Sequence, residues 1–352
     1  MVNKHNPGQP QWVHSLSQVS SRLVKQDRPF FSATHEEISE GLTTDIYFVA
    51  AQDILKHLAL ERTSVAVDIF PSRKGVFCGI PECLNLLSTS KVEIWSLGEG
   101  ETFNEKEVVV QIRGPYAEFG VYETPLLGIL AHSSGWATAA RECKEAAGGK
   151  KVICFGARHV HPAVAPVMER AAFVGGMDGA ACILGAFLAG HEPGGTIPHA
   201  AILIIGDTVV AAQTFQKVIP ERVPRIILVD TFKDEAEESL RVAESLTSQL
   251  DGIRLDTPSE RGGVSAALAK EVRSRLDIAG YSNVSIVVSG GMDPDRISSL
   301  REIVDIFGVG SYISARSPID MTMDIKEIEG KPIAKRGRIP GAERNPRLKK
   351  RR

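Results

Sequence analysis

The sequence predicts an α/β protein: an irregular, TIM-like α/β barrel preceded by a smaller α+β domain. Three observations carry that expectation. Between residues 126 and 317, short fully apolar runs end at a glycine or an acid and lead into amphipathic stretches. That is the pattern of parallel strands buried on both faces. Two successive late runs end in glycine-rich turns, Ser289-Gly290-Gly291 and Gly308-Val309-Gly310-Ser311, the place where such barrels commonly hold a phosphate. Residues 34–125 instead alternate β-rich segments with turns.

Taken in order, residues 1–33, with Asn6-Pro7-Gly8-Gln9-Pro10, read as a loosely held arm. In the 34–125 domain, residues 65–70, 92–95 and 108–112 read as strands of a mixed sheet, with a turn at 98–101. The C-terminal segment 318–352 is expected to join this domain. In the 126–317 barrel, 152–156 is an apolar run ending at Gly156. Residues 226–231 reach Asp230 before a Glu-rich helix at 234–249, and 253–257 reach Asp256. The helix that follows repeats Val264, Leu268, Val272 and Leu276 at four-residue spacing. Residues 285–291 and 305–311 supply the two glycine-rich ends. Residues 200–205 read as strand by β-branching and as helix by their place after Pro198-His199, and helix is preferred.

Composition narrows the class. The 352 residues are 43% hydrophobic and 24% charged, which excludes wholesale disorder. A net charge of -2 gives no case for nucleic acid. Residues 331–352 hold ten basic residues against one acid, Glu343, and read as a solvated tail. Five cysteines without a Cys-x-x-Cys indicate neither a disulfide framework nor a zinc knuckle, so a cytoplasmic protein without a resident metal is expected. Apolar runs such as 202–205 fall far short of the ~20 residues of a membrane span, and no secretory signal is evident.

Polar residues at the C-terminal ends of barrel strands face a shared mouth. Arg158, Asp178, Asp230, Arg254, Asp256 and the late glycines would converge there. Two guanidinium forks with a glycine nest imply an anionic ligand. Carboxylates beside them fit only if they meet ribose hydroxyls or magnesium, so a phosphoribosyl compound is expected. Each piece has a structural reading as well. Arg158 could be a surface ion pair, Asp230 and Asp256 helix caps, and His199 a hydrogen-bonded structural histidine. His159-x-His161 lacks a third metal ligand. Neither a P-loop nor Gly-x-Gly-x-x-Gly after the first strand is present.

Seven motifs occur in one order: Thr43-Thr44-Asp45-Ile46-Tyr47-Phe48, Phe155-Gly156-x-Arg158-His159, Gly175-Gly176-x-Asp178-Gly179, Gly195-Thr196-x-x-His199, Arg254-Leu255-Asp256-Thr257, Val288-Ser289-Gly290-Gly291 and Phe307-Gly308-Val309-Gly310. Together, over roughly residues 38–340, they resemble the shorter archaeal and bacterial nicotinate phosphoribosyltransferases. The resemblance implies the type II phosphoribosyltransferase fold. It also implies formation of nicotinate mononucleotide and pyrophosphate from nicotinate and phosphoribosyl pyrophosphate, assisted by ATP and with Mg2+ accompanying both phosphate substrates. A homodimer with shared sites, or an assembly of such dimers, is implied too, with no nucleic-acid or membrane partner.

By the same resemblance Tyr47 enters the neighbouring subunit's site and stacks on the pyridine, Phe155 takes the opposite face, and Arg158 meets the phosphate end. Asp178 lies near the ring nitrogen. Arg254, Asp256 and Thr257 flank ring and ribose, with Asp230 as a second carboxylate. Ser289, Gly290, Gly291, Gly308, Gly310 and Ser311 hold the 5′-phosphate, and His199 is the residue phosphorylated by ATP. Two alternatives stay open: a decarboxylating quinolinate phosphoribosyltransferase, disfavoured by the scarcity of lysine at strand ends, and a non-catalytic ligand-binding protein on this fold.

Overall fold

A computed structural model describes residues 12–22 and 27–352. The chain divides into two compact units, Met1–Gly135 with Ser317–Arg352, and Trp136–Arg316.

The first unit opens with α1 (Leu16–Ser21), capped by the Ser15 hydroxyl, and α2 (His35–Ser39), closed by a Thr34–Glu37 capping box. Next come α3 (Ile46–His57), β1 (Ser64–Pro71), β2 (Gly75–Val76), α4 (Ile80–Leu86), β3 (Glu93–Ser96), β4 (Thr102–Phe103) and β5 (Val110–Pro115). The described part of the expected loose arm is docked. Trp12 and Val13 join the core of this unit, Trp12 stands edge-on to Tyr122 with centroids 5.9 Å apart, and the Val13 N–H donates to the Glu40 carbonyl at 2.8 Å. Two apolar side chains in a polar stretch are enough to anchor it. Residues 6–10 lie outside the described residues.

Helix α5 (Glu123–Ala146) runs without a break through the boundary expected at 125/126. The division falls at Gly135, where a Cβ would sit 2.7 Å from the Ser317 carbonyl oxygen, so outgoing helix and returning chain touch backbone to backbone.

The second unit alternates strand and helix: β6 (Lys151–Cys154), α6 (Ala165–Gly175), β7 (Gly179–Ala180), α7 (Ile183–Leu188), α8 (His199–Ile205), α9 (Thr208–Val218), β8 (Ile226–Leu228), α10 (Glu235–Leu246), β9 (Gly252–Leu255), α11 (Ala266–Ile278), β10 (Ser285–Val288), α12 (Pro294–Leu300), β11 (Ile306–Val309) and α13 (Ser311–Ser314). The strands pair in the order β7-β6-β11-β10-β9-β8, all parallel. No ladder joins β7 to β8, so the expected irregular barrel is a curled half-barrel. The preference for helix at 200–205 holds in α8. Val264, however, precedes α11: Ser265 caps the helix, and its buried face is Ala269, Val272 and Leu276.

The chain then returns to the first unit as β12 (Met321–Ile328), β13 (Lys331–Pro332) and β14 (Lys349–Lys350). They complete a sheet ordered β13-β12-β1-β5-β3-β14, antiparallel throughout rather than mixed. The basic end is therefore not a solvated tail. Arg338 and Lys335 meet Asp324 at 2.8 and 3.1 Å, Arg347 meets Glu107 at 2.7 Å, and β14 covers the edge of β3. The acidic excess of the body supplies the partners, and the open strand edge supplies backbone hydrogen bonds. Among the described residues, no single helix is long and apolar enough to cross a membrane.

One half-buried acid gives the first unit a pH dependence. Burial pushes the Glu123 carboxyl up to about 7, with the Asp324 charge adding to the shift and Lys335 opposing it. Between its ordinary value and about 7, the unfolded chain releases this proton while the folded chain keeps it. Stability contributed by the group is thus lost as pH rises through that window. Glu123→Gln is expected to gain about 1–2 kcal/mol over the parent chain at about pH 8, allowing for solvent screening, and nothing at about pH 4. Thermal melts across that range check it; an equal shift at both ends would contradict the assignment.

Candidate active site

A cavity of about 800 Å³ opens at the C-terminal ends of the half-barrel strands. Chain direction explains its lining, because each parallel strand delivers the residues after its last ladder bond to the same end. Phe155 and Arg158 follow β6, Asp256 follows β9, Ser289–Gly291 follow β10, and Gly310 and Ser311 follow β11. The stretch after β7 adds Cys182, Thr196 and His199.

Arg254 is the hub. Its Nε donates to Ser289 Oγ at 2.8 Å, its Nη1 to Thr196 Oγ1 at 3.0 Å, and its Nη2 to Asp256 Oδ2 at 3.3 Å. The Ser289 hydroxyl in turn donates to Asp256 Oδ1 at 2.7 Å. The guanidinium carbon lies 5.0 Å from the Phe155 ring centroid, a cation–π platform in the floor of the mouth. Burial lowers the Arg254 pKa from its ordinary value, and the Asp256 charge opposes that shift. Arg158 also lines the mouth, is exposed, and is bound to no described residue, so its fork is available to a ligand.

The late glycines shape a backbone turn whose donors can meet an anion. Gly290 and Gly291 have φ of +82° and +64°, a left-handed conformation that favours glycine. Their carbonyls turn back to Arg296 Nη1 at 3.3 and 3.1 Å, while their own N–H groups meet no described acceptor. Gly308 serves by having no side chain: a Cβ there would stand 2.4 Å from Phe155 Cε2.

His199 Nε2 lies 3.1 Å from Asp230 Oδ1, and the Asp230 side chain is 2% exposed. Burial raises the Asp230 pKa, while the His199 charge pulls it down. With the Nε2 proton directed at this acid, the lone pair falls on Nδ1. The helix-cap readings of the two aspartates fail, since α10 is capped by Asp234 and α11 by Ser265.

Two expected site residues lie elsewhere in the second unit, and a third, expected to act on a neighbouring subunit, belongs to the first. Asp178 precedes β7, so it sits at the opposite ends of the strands, where its carboxylate accepts from Lys144 Nζ at 2.6 Å and the Val152 N–H at 2.8 Å. Thr257 is buried and donates to Glu235 Oε1 at 2.8 Å, away from the mouth. Tyr47 belongs to the first unit, on α3, 60% exposed and donating to Asp45 Oδ2 at 3.1 Å.

Sequence reasoning missed Arg296 and Glu169. The Glu169 side chain is fully buried under the mouth and accepts the Cys182 N–H at 2.6 Å. Burial raises its pKa, opposed by the amides of Cys182, Ala157 and Ala181. One carboxylate thus ties together the two loops that form a wall of the cavity. An acid at apolar spacing on α6, beside Met168 and Ala172, was the available signal.

Family models match both parts of the chain: "Quinolinate phosphoribosyl transferase, N-terminal domain" over residues 45–134 and its C-terminal domain over 136–324. The chain belongs to the type II phosphoribosyltransferase family. Family membership fixes the two-domain fold, and agrees with a solved nicotinate-nucleotide pyrophosphorylase from Pyrococcus furiosus. That structure is 46% identical with a TM-score of 0.86, over 90% of this chain and 82% of the other. Human nicotinic acid phosphoribosyltransferase, at 19% identity and a TM-score of 0.69 over 85% of this chain and 77% of that one, is alike in fold. A nicotinate phosphoribosyltransferase of Mycobacterium tuberculosis is 31% identical over 254 residues, covering 69% of this chain and 55% of that protein. The chain spans about half the length of the curated relatives it matches first.

Proposed function

We propose that this family member is a cytoplasmic nicotinate phosphoribosyltransferase acting as a homodimer. The observation that carries the reading is the set of cations in the mouth: among the described residues, two arginines, Arg158 and Arg254, and no lysine. One guanidinium matches one pyridine carboxylate, Arg254 over the Phe155 face, and leaves Arg158 for a phosphate.

In the reaction the pyridine nitrogen of nicotinate attacks C1′ of phosphoribosyl pyrophosphate. The N–C1′ bond forms as the C1′–O bond breaks, and its electron pair leaves with pyrophosphate. The ring nitrogen is nucleophilic as it stands, so no general base is needed. The glycine N–H groups hold the 5′-phosphate, and Asp256 offsets positive charge developing on the ribose. The chief task is holding two anions together against their repulsion. Among the described residues, no group of three or more His, Cys, Asp or Glu could hold a metal; magnesium would enter with the phosphate substrates.

His199 would attack the γ-phosphorus of ATP through Nδ1, with ADP leaving, while Asp230 fixes the imidazole and balances its charge. His199→Ala is expected to abolish an acid-labile phosphoryl adduct and all stimulation by ATP, while the ATP-independent rate changes less than about threefold. Mass spectrometry and paired assays read both, and ATP stimulation surviving in the variant would remove this role.

Dimerisation is supported separately in each unit. On α3, Ile46, Tyr47 and Ile54 are more than half exposed, as is Leu58 at its C-cap; on α7 and α8, so are Leu184, Phe187, Leu203 and Ile204. Such apolar faces are expected of an interface, and Tyr47 would reach the partner's pyridine from the first of them.

The deciding assay supplies nicotinate, phosphoribosyl pyrophosphate and magnesium, with and without ATP. The mononucleotide should form, and folded protein giving none in either mixture would remove the nicotinate reading. Quinolinate is the second reading, favoured by the matching family description. Parallel assays with quinolinate and nicotinamide, following CO₂ release for the former, separate the three pyridines.

A further inference from the structure

A second cavity, of about 500 Å³, belongs to the first unit alone and contains none of the residues discussed above as reacting. Lys56 from the last turn of α3, Arg62 from the connection to β1, and Lys91 just before β3 all line it. None of these three side chains is bound to any described residue. Two carboxylates share the lining, and Glu118 is already engaged, accepting the Lys91 backbone N–H at 2.9 Å.

The inner wall carries an unmet donor and an unmet acceptor. Gln52 is 7% exposed and its Nε2 has no acceptor among the described residues; Glu61 Oε2 is buried without a donor among them. Leaving such a group unmet is unfavourable, so each calls for a partner supplied from the cavity. A simple anion would satisfy the cations and the amide but would be repelled by Glu61. A hydroxyl answers both inner groups, accepting from Gln52 and donating to Glu61, while a phosphate answers the three cations at the rim.

We infer that this cavity is a second ligand site, for a small phosphate ester bearing free hydroxyls. The inference goes beyond the proposed reaction and does not depend on it.

Calorimetric titration of the full chain with ribose 5-phosphate, alongside inorganic phosphate, tests it. Any binding at the half-barrel mouth is common to all variants and cancels in the comparison. The double substitution Lys56→Glu and Lys91→Glu should weaken one class of ester binding more than tenfold with the unliganded melting temperature unchanged, because neither side chain supports the fold. Gln52→Leu should weaken the ester several-fold and leave inorganic phosphate unaffected, which keeps the test open if the double variant misfolds. Identical ester isotherms in parent and folded variants overturn the proposal. So does inorganic phosphate binding as tightly as the ester, which marks a merely cationic surface.

Discussion

Arg254→Ala should lower kcat/KM for nicotinate by about a hundred- to a thousandfold, the cost of truncating one member of a half-buried, hydrogen-bonded charge pair. The guanidinium holds Ser289, Thr196 and Asp256 in one network above the Phe155 ring. On the proposed reading, the Asp256 charge would then face the pyridine carboxylate with nothing between them. The loss should appear mostly in KM for nicotinate, and far less in KM for phosphoribosyl pyrophosphate; equal effects on the two would contradict its place beside the ring. Arg254→Lys keeps the charge but not the planar fork, so it should recover only part of the loss.

Gly308→Ala is expected to destabilise the second unit by about 1–3 kcal/mol and to lower kcat/KM more than tenfold. The added methyl would lie 2.4 and 2.6 Å from Phe155 Cε2 and Cδ2 and 3.1 Å from Ser289 Cβ, inside a buried strand that cannot yield. Phe155 must swing away, and the platform under Arg254 goes with it. Pairing the change with Phe155→Leu makes room, so a chemical-denaturation midpoint should recover while activity stays low. Full activity in Gly308→Ala would show that the aromatic face is dispensable.

Much of this was legible in the residues themselves. Apolar runs closing on Asp230, Arg254–Asp256 and Ser289–Gly291 marked strand ends, because a parallel strand must be apolar until it leaves the sheet. The errors have causes that can be named. Asp178 was placed at the mouth because β7, only Gly179 and Ala180, is too short to read, and the acid stands before it rather than after. Alternation along an extended strand carries Thr257 to the side opposite Arg254 and Asp256. Glu169 escaped notice because the backbone amides that donate to it belong to the two loops flanking its helix, which only the fold brings onto one carboxylate. The docking of Trp12 and of the basic C-terminal strand depends on surfaces made by other segments, and no local pattern reports those.

Strand β1 has β12 on one side and β5 on the other, with Val65 opposite both Ile328 and Gly114. A ribosome delivers the second of those neighbours soon after β1 and the first only after the entire half-barrel has been made. Residues 136–316 are contiguous and can condense as they emerge, whereas the sheet that begins first must finish last. Until then an apolar strand edge stays open in the nascent chain, at the step where its synthesis is most exposed to aggregation or to chaperone capture.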